Sequence, residues 1–99
     1  MLTLPIKKKW FDMILSGEKK EEYRDIKPYY TNRFQKLWQG SLIGGDALRK
    51  VRFRNGYSNN SPTATAYVTV SIGTGKPEWG AEPGKNCYIL HIVRIEESV

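Results

Sequence analysis

Cysteine and histidine are nearly missing from this chain of 99 residues, which has one of each. A lone cysteine, Cys87, excludes an internal disulfide. One cysteine with one histidine, His91, falls short of a structural zinc site. No metal is expected on that count, and no cofactor either: the string GTGK at 73–76 lacks the full spacing of a phosphate loop and the Ser or Thr after its lysine. No apolar run approaches the length of a membrane span. The basic start Lys7-Lys8-Lys9 is not followed by the apolar stretch of a signal peptide. With the single cysteine, these absences predict a reducing compartment, the cytoplasm, and no membrane partner. Repeats, linkers and low-complexity tails are also lacking, so residues 1–99 read as a single domain with a modest core.

Anions are scarce as well. Ten Asp and Glu stand against sixteen Lys and Arg, giving a net charge of +6 and a pI near 9.6. From Lys27 to Arg54 the cations are Lys27, Arg33, Lys36, Arg49, Lys50, Arg52 and Arg54, with Asp46 the only anion, so this stretch alone supplies the excess. Such a balance attracts polyanions, of which nucleic acid is the commonest in a cytoplasm.

The apolar pattern is mixed. MLTLPI is a short strand or extended entry. Residues 7–16 predict a helix, with Trp10, Met13 and Ile14 on one face, Phe11 and Leu15 beside them, and Ser16-Gly17 as the stop. EKKEEYRDI follows as a strand, with Glu22 and Arg24 on one side and Glu21 and Tyr23 on the other. KPYYTNRFQKLWQG is helical, opened by Pro28, closed by Gly40, and spaced by Tyr30, Phe34, Leu37 and Trp38. LRKVRFRNG alternates Val51 and Phe53 against a cationic face of Lys50, Arg52 and Arg54. TATAYVTVSIG is strongly β-forming, TGKPEWGAEPGKN is a loop, and CYILHIVRIEE is a last strand, apolar on both faces and therefore central or barrel-closing. The expected fold is α+β, mostly β: a five- to six-stranded, mixed or antiparallel β pseudobarrel with two helices near the N-terminus.

The octet GEKKEEYR at 17–24 poses the functional question, since its charges build no apolar core. One reading is a solvated strand whose pairs contribute little. The other is a cluster at a barrel mouth, where partial desolvation fixes Lys19, Glu22 and Arg24 for a ligand and perturbs Lys19 enough for proton transfer. Three lysines at a helix N-terminus are likewise either tolerated exposed side chains or, with the free amides, an anion site. Trp79, in a loop, either plugs the barrel end or offers a stacking surface for a base. A catalytic triad would have to use His91, which sits in an apolar strand and reads as a satisfied core or face histidine. Cys87 reads as a small buried hydrophobe.

The run KKWFDMILSGEKKEEYR at 8–24 resembles the signature of the ASCH domains, small relatives of the PUA domain. Ile14, Leu15, Gly17, Lys19, Glu22 and Arg24 carry the likeness, and the YILHI strand and GKPEWGA loop resemble short phage and Gram-positive bacterial members. The resemblance implies a PUA-like pseudobarrel with a cleft beside the first helix that binds RNA or a nucleotide. Some members are amidohydrolases that deacetylate N4-acetylcytidine with a lysine, a threonine and a glutamate, and others are described as ribonucleases. The lysine would be Lys19. The threonine position is Glu22 here, and the glutamate belongs to an insert this chain lacks, leaving Glu78 as the substitute. Lys20 also stands where many members have threonine.

The expected function is therefore RNA or nucleotide binding, with Lys19, Glu22, Arg24 and Trp79 at the cleft and Lys7, Lys8, Lys9, Lys50, Arg52 and Arg54 tracking phosphates. The alternatives are a small amidohydrolase on an N4-acylated cytidine, with Lys19, Glu22 and Glu78 as its catalytic groups, a ribonuclease, or an accessory protein with a protein partner.

Overall fold

The computed structural model describes residues 1–37 and 48–96. In chain order these form β1 (Leu2–Ile6), α1 (Lys8–Ser16), β2 (Glu21–Arg24), α2 (Pro28–Leu37), β3 (Arg49–Asn55), β4 (Thr63–Thr74), a 3₁₀ turn (Pro77–Trp79) and β5 (Asn86–Ile95). The α+β class, with two early helices, is as expected. No helix among the described residues is long and apolar enough to cross a membrane. The expected stop at Gly40 and the helical place of Trp38 lie outside the described residues.

Helix α1 begins one residue later than its pattern implied, because Lys7 is extended and supplies only a carbonyl to the Phe11 N–H at 3.0 Å. It ends at Gly17, whose φ of 86° is the left-handed conformation that glycine adopts without a Cβ penalty. Phe11 and Ile14 are its buried residues. Trp10 and Met13 are half-buried, and Leu15 is exposed, so the helix rolls one position from the face its spacing favoured.

The sheet order is β1-β3-β4-β5-β2. Among the described strands only β1 and β3 run parallel, so the sheet is mixed. It curls into a half-barrel, and a register shift at Tyr67/Val68 helps it turn. Strand β5 lies between β4 and β2, the interior position its two apolar faces predicted. The edges are β1 and β2. Pro5, which has no N–H to give a ladder, sits on one of them, as edge strands allow.

Among the described residues no strand pairing joins β1 to β2. A side chain spans that gap instead: Arg24 of β2 donates from Nη2 to the Pro5 carbonyl of β1 at 2.9 Å. Beneath it lies one core, with Leu4, Ile6, Phe11, Ile14, Phe34, Val51, Phe53, Val68 and Leu90 all buried. Helix α2 docks there through Phe34, edge-on to Tyr88 at 4.9 Å, and through Thr31, whose hydroxyl meets the Tyr88 hydroxyl at 2.5 Å.

Candidate functional site

Strand β2 is only four residues, EEYR, and its alternation decides what each side chain does. Pairing places Glu22 beside Leu90 and Arg24 beside Tyr88, facing the core. Glu21 lies beside His91 and Tyr23 beside Ile89, on the opposite face. Lys19 arrives just before the strand, its N–H held by the Met13 carbonyl at 3.0 Å, so the end of α1 aims it inward.

The inward charges form a chain. Glu22 Oε1 lies 3.4 Å from Lys19 Nζ, and Glu22 Oε2 lies 2.7 Å from Arg24 Nη2. Lys19 is 1 % exposed and Glu22 7 %, so both are taken from water, where a charge survives only if partnered. Lys19 Nζ also donates to the Trp79 carbonyl and lies over the Trp10 and Tyr23 rings at 4.8 and 4.9 Å, in the range of cation–π attraction. Burial depresses the Lys19 ammonium below its ordinary value, an effect that Glu22 only partly offsets. Burial works against the Arg24 charge too, but there Glu22 and the Tyr30 hydroxyl win and raise its value.

Lys19, Glu22 and Arg24 are therefore neighbours, and the loop at Trp79 joins them through its backbone. Trp79 itself is half-buried, with Lys76 Nζ 4.5 Å from its ring centre. Glu78 is exposed and takes no part in this network.

Arg24 is the member that faces open space. It lines a hollow of about 490 Å³ with Pro5, Lys27, Pro28, Tyr29, Tyr30 and Tyr57. That volume falls within the roughly 300–1,000 Å³ of small-molecule sites. Arg24 Nη1 donates to the Tyr30 hydroxyl at 3.2 Å, and the guanidinium carbon and Lys27 Nζ each lie 5.6 Å from the Tyr30 ring centre. Tyr29 meets Tyr30 edge-on at 4.9 Å, and Arg33 covers Tyr29 at 3.5 Å. Tyr57, from the β3–β4 loop, is 88 % exposed. Arg24 Nε is buried without an acceptor among the described residues.

The other basic residues sit elsewhere. Arg52 and Arg54 line a second hollow of about 280 Å³ with Thr3, Asn59 and Thr63. Pro5, on the rim of the first hollow, is the β1 partner of Arg54, so the two basic surfaces adjoin along β1. Lys50 is diverted from them: its ammonium lies 3.4 Å from Glu96 and 5.3 Å from the Tyr67 ring centre. Lys7, just before α1, and Lys8 and Lys9, in its first turn, are exposed; Lys8 pairs with Asp12 at 2.6 Å, and Lys9 lies over Trp10 at 4.6 Å. No group of His, Cys, Asp and Glu among the described residues could hold a metal ion.

Sequence reasoning missed Lys27, Tyr29, Tyr30 and Tyr57 as hollow-lining residues. Tyr57 had a usable signal, an aromatic ring stranded in the polar loop YSNNSP. Tyr29 and Tyr30 were hidden by helical spacing, which explains Tyr30 as core packing and leaves Tyr29 as ordinary surface.

No family model, curated protein or solved structure matches this chain.

Proposed function

We propose that the protein binds RNA or a nucleotide, with a base on the tyrosines of the Arg24 hollow and the flanking phosphates on Lys27, Arg54 and Arg52. The observation that carries this reading is the hollow's composition: two cations, three tyrosines and two prolines around one open volume. Aromatic faces take any base by stacking, worth about 1–3 kcal/mol each, and cations beside them take the backbone. Tyr57 supports the reading as an exposed ring with no packing role to explain it.

In this reading Lys19 and Glu22 do not touch the ligand. Glu22 is the buried counter-charge that holds Arg24 in place between β2 and β1, and Lys19 is the second cation on that carboxylate. Lys19 is the group that deacylation of a cytidine would require, and its Nζ is shielded from solvent and held by Glu22 and Trp79. That is why binding, and not hydrolysis, is the reading carried here. We read the half-barrel, with α1 leading into Lys19, Glu22 and Arg24, as a PUA-like domain of the ASCH type, and propose the cytoplasm as its compartment.

The test is fluorescence anisotropy with a labelled single-stranded RNA and with a nucleoside monophosphate. RNA affinity should fall as salt rises, with a slope of about 0.7 per phosphate neutralised. Tyr57→Ala should cost about 5- to 150-fold in affinity, the equivalent of one stacked base. An affinity indifferent to salt, or equal affinities for the native chain and the Tyr57→Ala and Lys27→Ala variants, would sink the proposal.

A further inference from the structure

The outward face of β2 carries a second network that the ligand hollow does not use. Glu21 of β2 is paired with His91 of β5, and His91 is paired in turn with Thr69 of β4. Ser71, two residues along β4, lies on the same face as Thr69. Three neighbouring strands thus present Glu21, His91 and Ser71 in a row. Their side chains close it: Ser71 Oγ is 3.0 Å from His91 Nε2, and His91 Nδ1 is 3.2 Å from Glu21 Oε2. Glu21 is itself fixed, because its Oε1 accepts the Tyr23 hydroxyl at 2.7 Å. The Tyr23 oxygen in turn accepts the Lys76 backbone N–H at 3.0 Å.

A carboxylate 3.2 Å from Nδ1 favours the imidazole tautomer that carries its proton there. The Nε2 lone pair is then left facing the Ser71 hydroxyl. This is the relation of nucleophile, base and orienting acid on which serine acyl transfer rests, and that relation is recognised by geometry and not by sequence order. Ser71 is exposed, and the His91 side chain is 42 % exposed, so a reactant reaches the Oγ without entering a cavity.

We propose that Ser71 is an activated nucleophile for acyl and phosphonyl donors that carry a good leaving group, with His91 as its general base and Glu21 and Tyr23 as positioning residues. Aryl esters and thioesters are the substrate class, because an open sheet face favours donors whose leaving group departs readily. In the first step Ser71 Oγ bonds to the acyl carbon, and its proton passes to His91 Nε2. The bond to the leaving oxygen or sulfur then breaks, and that atom takes the proton from His91. Water attacks the acyl-serine in the second step, again giving its proton to His91, which returns it to Ser71 as the carboxylic acid leaves. No oxidant, reductant or further reactant is needed.

The proposal is independent of the nucleic-acid reading, since none of these residues lines the Arg24 hollow. The test treats the full chain with a fluorophosphonate probe: Oγ bonds to phosphorus, fluoride leaves, and the proton goes to His91. One label is expected, located on Ser71 by peptide mass spectrometry and absent in Ser71→Ala. His91→Ala should slow labelling by about 10²- to 10⁴-fold, and added imidazole should restore part of the rate, which a purely structural histidine would not allow. Glu21→Gln, which keeps the side-chain volume, should slow it by about tenfold or more. An aryl acetate should leave a hydroxylamine-labile acetyl group on the same serine. Labelling spread over the other serines, or an Ser71 label whose rate ignores His91→Ala and Glu21→Gln, would reduce the row to a cross-strand hydrogen-bond network and overturn the assignment. RNA affinity measured on the same variants should not change.

Discussion

The two faces of β2 each carry a glutamate, to opposite ends. Inward, Glu22 and Arg24 join Lys19 in a chain whose Lys19 and Glu22 side chains are 9 % exposed or less, while Arg24 ends it at the hollow. Outward, Tyr23 donates to Glu21, which meets His91, and His91 meets Ser71 where solvent reaches, the His91 side chain being 42 % exposed. Both faces offer a carboxylate two residues from a hydrogen-bonding partner, and the dielectric around them sets what each does. Desolvated charges cannot be parted cheaply, so the inner chain is a clamp that fixes Arg24 across the sheet edges. The outer row keeps His91 and Ser71 within reach of solvent. A single period-two strand thus separates a structural ion network from a reactive one.

The largest effect should come from cutting the inner chain at its centre. Glu22→Gln removes the one carboxylate shared by Lys19 and Arg24 and leaves both cations buried without a counter-charge. We expect a loss of about 3–5 kcal/mol in chemical denaturation, the usual cost of breaking a buried pair by one partner. A loss under about 1 kcal/mol would show that water reaches these charges and that the clamp is not closed.

The next effect tests what holds Glu21 in the outer row. Gly75 packs against the Tyr23 ring, and a Cβ there would overlap ring carbons. Gly75→Ala should force the ring aside and break the bonds from Tyr23 to Glu21 and from Lys76 to Tyr23. We expect about 1–3 kcal/mol of destabilisation, the range for overpacking. Fluorophosphonate labelling of Ser71 should slow as well. Unchanged labelling would mean that Glu21 needs no support from Tyr23.

How much of this was legible beforehand follows from the same strand. Alternation alone assigned Glu22 with Arg24 and Glu21 with Tyr23, because side-chain period two is a backbone property that tertiary context rarely overrides. The glycine stop at Gly17 and the interior position of β5 were legible for similar reasons, being local or compositional. What escaped was register. Nothing in the string CYILHIVRI says that His91 will stand opposite Glu21, or that Ser71 will lie diagonally across β4, because register depends on contacts far apart in sequence. The parallel pairing of β1 with β3 escaped for the same reason. The roll of α1 onto Phe11 was missed because Trp10 has a competing use: its ring faces Lys19 and the backbone at Gly80, where a Cβ would come within 3.0 Å.

Alkaline titration separates the two faces by sign. On the inner face, Lys19 has a folded-state value depressed below its ordinary 10.5. Between those two values the unfolded chain binds more protons than the folded one, so stability rises with pH across that window and levels off above it. On the outer face, burial raises the Tyr23 hydroxyl well above its ordinary value of 10.0, with Glu21 adding to the rise. There the folded chain keeps its proton longer, and stability falls once pH passes about 10. Lys19→Met should flatten the rise below that point, by up to about 1.4 kcal/mol per pH unit at its steepest. Tyr23→Phe should instead remove the fall. Denaturation curves taken from neutral pH upward decide this, and a Lys19→Met slope equal to that of the native chain would place the ammonium in contact with water.

The smallest effect in stability is also the sharpest contrast. Glu21→Gln is the outer counterpart of Glu22→Gln: the same residue types, one position apart, on the same strand. Its side chain is 20 % exposed, and it faces a histidine and a tyrosine hydroxyl, not two permanent cations. A glutamine oxygen still accepts from Tyr23, so no buried donor is orphaned. We expect a stability change within about 1 kcal/mol, as for other solvent-reached pairs. If Glu21→Gln costs as much as Glu22→Gln, the outer row is desolvated like the inner chain, and the division of labour between the two faces of β2 does not exist. If it leaves stability alone while slowing the chemistry at Ser71, one strand carries both functions on its two sides.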